Sequence, residues 1–246
     1  MRHLYALSYS PWSEKARWAL DHHRLDYVEH EYVPILGEPA LRWAARRPFG
    51  RVSVPTLIED GVPYIDSLVI AKHADEIGKR ARLFPDGAIA EIERYNELSE
   101  AMLSAAREIC VPRMSADAEA AAEAAPPYLP GRRLLARSSV GLAGLFLRTK
   151  YKMRADETQS LGTIRGGLVA LRAALDDRET LLPTFSYADI VMAVTLQWVA
   201  PLPPEIRPVG PALRRILQLP ELAEEFADLV AWRDRLYAAH RKPEPA

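Results

Sequence analysis

Strand patterns fall almost entirely within the first 65 residues of this 246-residue chain, and that asymmetry constrains its fold more than any other feature. His3–Leu7 reads as a short apolar strand. Trp12–His23 places Ala16, Trp18, Ala19 and Leu20 at helical spacing. Tyr27–Val33 alternates as a strand does and stops at Pro34. Pro39–Arg46 predicts a short helix with Leu41 and Trp43 as its apolar residues. Val54–Ile58 and Val62–Ile65 flank Asp60-Gly61, the pattern of a two-residue hairpin. A helix then runs from Ser67 to a stop at Gly78. The order is strand, helix, strand, helix, strand, strand, helix. The first two strands are expected to be parallel, joined by a right-handed helical crossover.

Beyond a connector at Arg80–Gly87 the periodicity turns helical. Ile89, Ile92, Tyr95, Leu98, Met102 and Ile109 share one face of a long helix. Further helices are expected at Ala116–Ala125, Leu134–Lys152, Gln159–Leu175 and Leu222–His240. Ile190–Val199 is apolar nearly all round and reads as a buried central helix. Leu202–Pro211 is a proline-rich ordered loop. The expected division is residues 1–79, a linker at 80–87, and an all-helical domain at 88–246.

Composition narrows the function. Thirty-two basic residues against 33 acidic ones give no field for nucleic acid. The single cysteine, Cys110, forms no internal disulfide, which fits a reducing compartment. The N-terminus enters a strand pattern directly, without the apolar stretch of a signal peptide. The longest uncharged run, Ile190–Pro204, is too short and too proline-broken to span a bilayer. A cytoplasmic protein is expected, with no membrane or nucleic-acid partner.

Three places carry chemistry. Ser10-Pro11-Trp12-Ser13 sits where the first strand meets the first helix. The unpaired N–H groups and positive dipole end of a first turn favour an anion such as a thiolate or carboxylate. Ser10 or Ser13 caps the helix, or one of them serves that anion. Val54-Pro55 opens a strand with a residue that cannot donate to a sheet. A cis bond there would turn the Val54 backbone N–H and C=O outward, free to pair with a peptide-like ligand. Asp66-Ser67 opens the third helix, where Ser67 caps it or helps to hold a carboxylate.

Taken in order, Ser10-Pro11-Trp12-Ser13-Glu14-Lys15-Ala16-Arg17, Arg47-Pro48-Phe49-Gly50, Val54-Pro55-Thr56-Leu57 and Asp66-Ser67 make the chain resemble a soluble glutathione transferase. Phe185-Ser186-Tyr187-Ala188-Asp189 extends the resemblance into the second domain, as a capping-box variant with a possible staple from Phe185 to Ile190. The resemblance implies an α/β thioredoxin-like βαβ-αββα domain followed by an all-helical bundle. It further implies glutathione as co-substrate, a small hydrophobic electrophile, a detoxifying role and a homodimer.

Ser10 matches the position of the catalytic Ser or Cys. Val54 and Pro55 match the segment that pairs with the cysteinyl backbone. Ser67 and Asp66 match the groups at the γ-glutamyl carboxylate and ammonium. The implied mechanism is thiol activation. A free thiol has a pKa of about 8.5, and lowering it by about two units takes roughly 2.7 kcal/mol. One hydroxyl donor and a helix N-terminus supply energies of that order. A transferase-like binding or regulatory protein without turnover is the alternative.

Two departures from the pattern stand out. Gly50–Pro55 is about two residues longer than the family's usual interval, so Arg42, Arg47 and Arg51 all compete for the glycine carboxylate of glutathione, with Arg51 in the longer loop itself. Serine at the cysteine-type position argues against disulfide-reducing chemistry. Other candidate sites are weaker. His22-His23 lacks metal-ligand spacing, so no metal is expected. No Gly-x-Ser-x-Gly elbow is present. The basic run Arg148–Arg154 is followed by Asp156-Glu157 and reads as a solvated helix face. Cys110 is expected to be buried. Tyr95, Met102 and Arg107 could line the electrophile pocket.

Overall fold

The computed structural model describes residues 1–50, 52–124, 149–150 and 156–241. The chain forms two compact units that interleave along the sequence. The first comprises Met1–Asn96, Arg178–Val194 and Arg235–Lys242, and the second Glu97–Asp177, Thr195–Asp234 and Pro243–Ala246.

The first unit is built on strands β1 (Arg2–Ala6), β2 (Val28–Glu31), β3 (Thr56–Glu59) and β4 (Val62–Ile65). Their order is β2-β1-β3-β4, with β1 and β2 parallel and the other pairs antiparallel. The expected mixed topology is therefore observed. The β3–β4 turn places Asp60 at φ 49° and Gly61 at φ 83°. Two successive positive φ values are what a type I′ turn requires.

Alternation along β1 sends Leu4 and Ala6 to one buried face. Tyr5 points the other way and packs with Tyr32, Leu41, Val52 and Val54. Helices α1 (Pro11–His22) and α3 (Ser67–Ile77) pack on one another. Helix α2 (Glu38–Ala44) buries only Leu41. Trp43, the other apolar residue expected on that helix, is 85% exposed.

Helix α1 buries charge as well as apolar surface. Arg17 donates to Glu29 at 2.5 and 2.8 Å. Arg241 donates to Glu14 at 2.9 Å and to Asp21 at 2.5 Å. The Arg17 pair ties α1 to β2, and the Arg241 pairs fasten the C-terminal segment to α1 within the first unit, which explains why residues so distant in the chain share it.

Gly78 ends α3 as expected, for a different reason. Its φ is −72°, so no left-handed conformation is needed. A Cβ there would lie 2.2 Å from His23 Nδ1, so close approach of the ring excludes a side chain. Nδ1 of His23 has no hydrogen-bond partner among the described residues. The proton therefore sits on Nε2, which donates to Asp75 at 3.1 Å. Asp75 also accepts from Arg82 Nε at 2.6 Å and the Leu83 amide at 2.5 Å, anchoring the connector.

Helix α4 spans Ile89–Ala116, and Asp117 separates it from α5 (Ala118–Ala124). Helix α6 is Glu157–Leu175, capped by Asp156. Helix α7 covers Tyr187–Thr195 and continues as a 3-10 turn at Leu196–Trp198. Residues 190–199 are buried, as their all-round apolar pattern predicts. At the start of α7, Asp189 accepts the Ser186 amide at 2.9 Å, the Ser186 hydroxyl at 3.1 Å and the Leu181 amide at 2.7 Å. The Phe185 ring stacks on His240, 3.9 Å between centroids.

In the second unit α4 and α6 meet closely, since a Cβ on Gly167 would lie 2.3 Å from the Met102 sulfur. Helices α8 (Pro211–Ile216), α9 (Pro220–Glu225) and α10 (Ala227–His240) follow. The helix expected from Leu222 onward is broken at Phe226, whose φ is −117° and ψ 36°. The proline-rich segment is an ordered turn. Arg214 donates to the Leu202 carbonyl at 2.5 Å and buried Arg233 to the Leu196 carbonyl at 3.2 Å. Arg214 thus satisfies a carbonyl of the loop itself, and Arg233 adds to a Leu196 carbonyl that also accepts the Val199 and Ala200 amides. The expected helix at Leu134–Lys152 and the basic run at Arg148–Arg154 lie outside the described residues apart from 149–150.

Candidate active site

Sheet register gathers the three chemical segments. Tyr5 pairs with Thr56, and Thr56 with Ile65. The chain leaving β1, the chain entering β3 and the chain leaving β4 therefore meet at one end of the sheet. Because β2 is parallel to β1, Glu31 leaves at that end too. Ser10, Val54, Pro55, Asp66 and Ser67 all belong to these segments.

At the start of α1, Ser10 is the N-cap residue, with φ −82° and ψ 126°. Its side chain makes no cap hydrogen bond, and Pro11 supplies no N–H at the first helical position. The residue is nine-tenths buried, and its hydroxyl is not spent on the helix. Ser13 is fully buried inside the first turn. Its Oγ accepts the Leu7 amide at 3.0 Å, so of the two roles left open for Ser13, capping and serving an anion, it takes neither and tethers the loop. Strand β1 ends at Ala6, one residue earlier than the pattern suggested, and Leu7 takes a side-chain acceptor in place of a sheet partner.

The Val54-Pro55 bond is cis. Strand β3 begins only at Thr56, because Pro55 has no N–H to give the ladder. The Val54 N–H and C=O have no backbone partner among the described residues. The turn is fixed by the Thr56 hydroxyl, which donates to the Ser53 carbonyl at 2.6 Å.

The Pro55 carbonyl accepts the Asp66 amide at 3.2 Å, tying this turn to the start of α3. Asp66 has φ 91°, a region costly to any residue with a Cβ. Such strain persists where surrounding structure holds it, often at ligand sites. Asp66 caps α3 by accepting the Leu68 amide at 2.9 Å. Capping therefore falls to Asp66, and Ser67 is released from it. Ser67 is 1% exposed, and its Oγ has no partner among the described residues. A buried hydroxyl left unpaired costs about 1–3 kcal/mol, so a ligand oxygen arriving there is strongly favoured.

Of the three candidate arginines, Arg42 is committed to structure. It donates to the Gly50 carbonyl at 2.8 Å and to Glu38 at 3.0 Å. The Arg47-Pro48-Phe49-Gly50 motif is thus a loop held by Arg42, with Gly50 at φ 84°. Arg47 is exposed, and Arg51 lies outside the described residues.

Sequence reasoning overlooked Ser8, Tyr9 and Glu31. Glu31 accepts the Ser8 amide at 3.1 Å and the Ser8 hydroxyl. Burial pushes the Glu31 carboxyl above its ordinary range. The Tyr9 phenol is raised by burial and then by the Glu31 charge, so it stays protonated. No periodicity marks these residues, since parallel pairing alone brings β2 beside the loop.

Cys110 is buried, and desolvation pushes its thiol up to about 12, which makes it inert. Tyr95 and Met102 are buried and Arg107 is half-buried. Among the described residues no group of three His, Cys, Asp or Glu side chains is placed to hold a metal, and no helix is long and apolar enough to cross a membrane.

Residues 4–80 match the family model described as the N-terminal domain of glutathione S-transferase. No curated protein matches the chain. Among solved structures, a glutathione S-transferase from Methylobacillus flagellatus with glutathione bound is 21% identical, with a TM-score of 0.64 over all of both chains. One from Methylobacterium radiotolerans in complex with glutathione sulfonate is 16% identical, with a TM-score of 0.62, covering 100% of this chain and 96% of that one. A glutathione transferase family member from Pseudomonas fluorescens Pf-5 with bound glutathione is 17% identical, with a TM-score of 0.59, covering 99% and 100%. The chain as a whole thus has the glutathione transferase fold, and residues 4–80 match the N-terminal domain of that family.

Proposed function

We propose that this protein is a glutathione transferase of the serine type, which holds glutathione at the end of its sheet and transfers the thiolate to a small hydrophobic electrophile. The observation that carries the reading is the Ser67 hydroxyl, buried without a partner among the described residues at the start of an 11-residue helix. Glutathione offers a carboxylate for that hydroxyl and an ammonium for Asp66. Its cysteinyl amide groups suit the Val54 backbone beside cis Pro55, in the manner of an added strand. That leaves the sulfur for Ser10.

Ser10 donates a hydrogen bond from its hydroxyl to the thiolate, keeps its proton and does not itself act as nucleophile or base. The positive end of α1 adds to the same stabilisation. The thiol proton passes to solvent; the thiolate then adds to an electrophilic carbon, whose π bond breaks and takes up a proton from water, or displaces a leaving group that departs with its bonding pair, and a carbon–sulfur bond forms. Residues 1–79 serve as the glutathione-binding part, and residues 88–246 furnish the contacts that select the electrophile. A cytoplasmic, detoxifying homodimer is the setting this reading carries.

Retention on immobilised glutathione, followed by turnover of a chlorodinitrobenzene-type electrophile, tests the proposal. Retention with turnover supports it. Retention without turnover on a broad panel of electrophiles makes the protein a binding or regulatory relative. Failure to bind glutathione overturns the reading altogether.

A further inference from the structure

The segment Leu7–Ser10 that delivers the Ser10 hydroxyl is pinned at consecutive points by side chains from two other elements. The Leu7 amide goes to Ser13 Oγ on α1 at 3.0 Å. The Ser8 amide and hydroxyl both go to Glu31 at the end of β2, the amide at 3.1 Å. The Ser10 amide closes the turn on the Leu7 carbonyl at 3.0 Å. The Ser10 side chain itself makes no cap bond that would fix its place. We infer that Glu31 and Ser13 are positioning residues, which hold the Ser10 hydroxyl where the thiolate of the ligand arrives.

This rests on the proposed function, because it presumes that Ser10 faces a thiolate. A hydrogen-bond donor acts on a reacting atom only within hydrogen-bond reach, and a shift of about 1 Å costs up to about a hundredfold in rate. A four-residue turn without lateral anchors does not hold that tolerance. The charged and titratable groups around Glu31 are Tyr9 from the loop, Arg17 from α1 and Glu29 on its own strand. Glutamine at position 31 keeps both bonds to Ser8. Its carbonyl accepts the amide proton, and its NH2 donates to the Ser8 hydroxyl. Alanine keeps neither.

The test titrates the thiol of bound glutathione by its ultraviolet thiolate absorbance in the wild type, Ser10→Ala, Glu31→Ala, Glu31→Gln and Ser13→Ala, with dissociation constants from calorimetry. Glu31→Ala is expected to raise the bound thiol pKa by about one unit, with affinity changed less than about threefold. Glu31→Gln is expected to return the pKa to the wild-type value. Ser13→Ala, which leaves β2 untouched, is expected to shift the pKa in the same direction as Glu31→Ala, and it carries the test should Glu31→Ala not fold. An unchanged thiol pKa in both Glu31→Ala and Ser13→Ala overturns the inference. So does a glutamine variant as impaired as the alanine one, which would assign the effect to charge. If Ser10→Ala also leaves the thiol pKa unchanged, the assignment of Ser10 in the proposed function falls and takes this inference with it.

Discussion

Helices α1 and α3 begin at the same end of the sheet, and each start holds a serine and a second polar residue within its cap and first turn, yet they divide the work differently. At α3 the strained Asp66 caps the helix and leaves the Ser67 hydroxyl buried without a partner among the described residues. At α1 the N-cap residue Ser10 makes no cap bond, and Ser13 turns back to hold the Leu7 amide. In each case one polar side chain is spent on structure and the other makes no cap bond. A helix start that merely begins a helix looks different, as α7 does. There Asp189 satisfies two amides and a hydroxyl in a buried site.

Breaking the purely structural start has the largest effect. Asp189→Ala leaves the Leu181 and Ser186 amides unsatisfied and is expected to cost about 3 kcal/mol or more in stability. Denaturant unfolding measures it, and glutathione affinity of the folded fraction should not change. Loss of affinity without loss of stability would place Asp189 in the wrong class of helix start.

Next comes the α1 start. Ser10→Ala is expected to lower kcat about a hundredfold, with glutathione affinity within several-fold. Ser13→Ala is expected to do less. Steady-state kinetics checks both, and a reversed order would exchange the roles of the two serines.

At the α3 start the expectation is the mirror image. Ser67→Ala should weaken glutathione binding about tenfold while kcat at saturation holds, because a hydrogen bond to a charged group is worth about 1.5–3 kcal/mol. An unchanged dissociation constant by calorimetry removes Ser67 from the site.

The smallest effect concerns the far end of α1. Burial, and then the neighbouring His22, lower the His23 pKa. The unfolded chain therefore binds the proton more readily than the folded one. The stability that neutral His23 contributes is present above its unfolded pKa of about 6.5 and is lost as pH falls below it. The raised pKa of Asp189, about 6, acts in the opposite sense between about pH 4 and 6. A difference measurement separates them. His23→Gln, whose amide can still donate to Asp75, should lose less stability than the wild type between about pH 7.5 and 5.5. Parallel profiles would mean that His23 does not titrate with folding.

The strand and helix order, the Asp60-Gly61 hairpin and the buried stretch at 190–199 were legible because each rests on local periodicity or on a turn that only certain residues permit. The three segments of the candidate site were legible for a related reason, since a strand-opening proline and helix-opening serines leave marks in the sequence. What each serine does was not legible. Whether Ser13 caps or tethers depends on β1 stopping at Ala6, and β1 stops according to its partners. Asp66 takes the capping role from Ser67 through a positive φ that no pattern announces. Glu31 reaches Ser8 only because β1 and β2 lie in parallel register. The last helix breaks at Phe226, a fully buried residue whose ring lies under the Arg172 guanidinium, 4.3 Å away, and no local pattern marks that break.

A crystal structure with glutathione bound tests the central claim most directly. The account predicts the sulfur within hydrogen-bond reach of Ser10 Oγ, the γ-glutamyl carboxylate on Ser67 Oγ and the cysteinyl backbone paired with Val54. A sulfur facing Ser13 or Tyr9 with the Ser10 hydroxyl turned away, or a carboxylate bound elsewhere with Ser67 still without a partner, would contradict it.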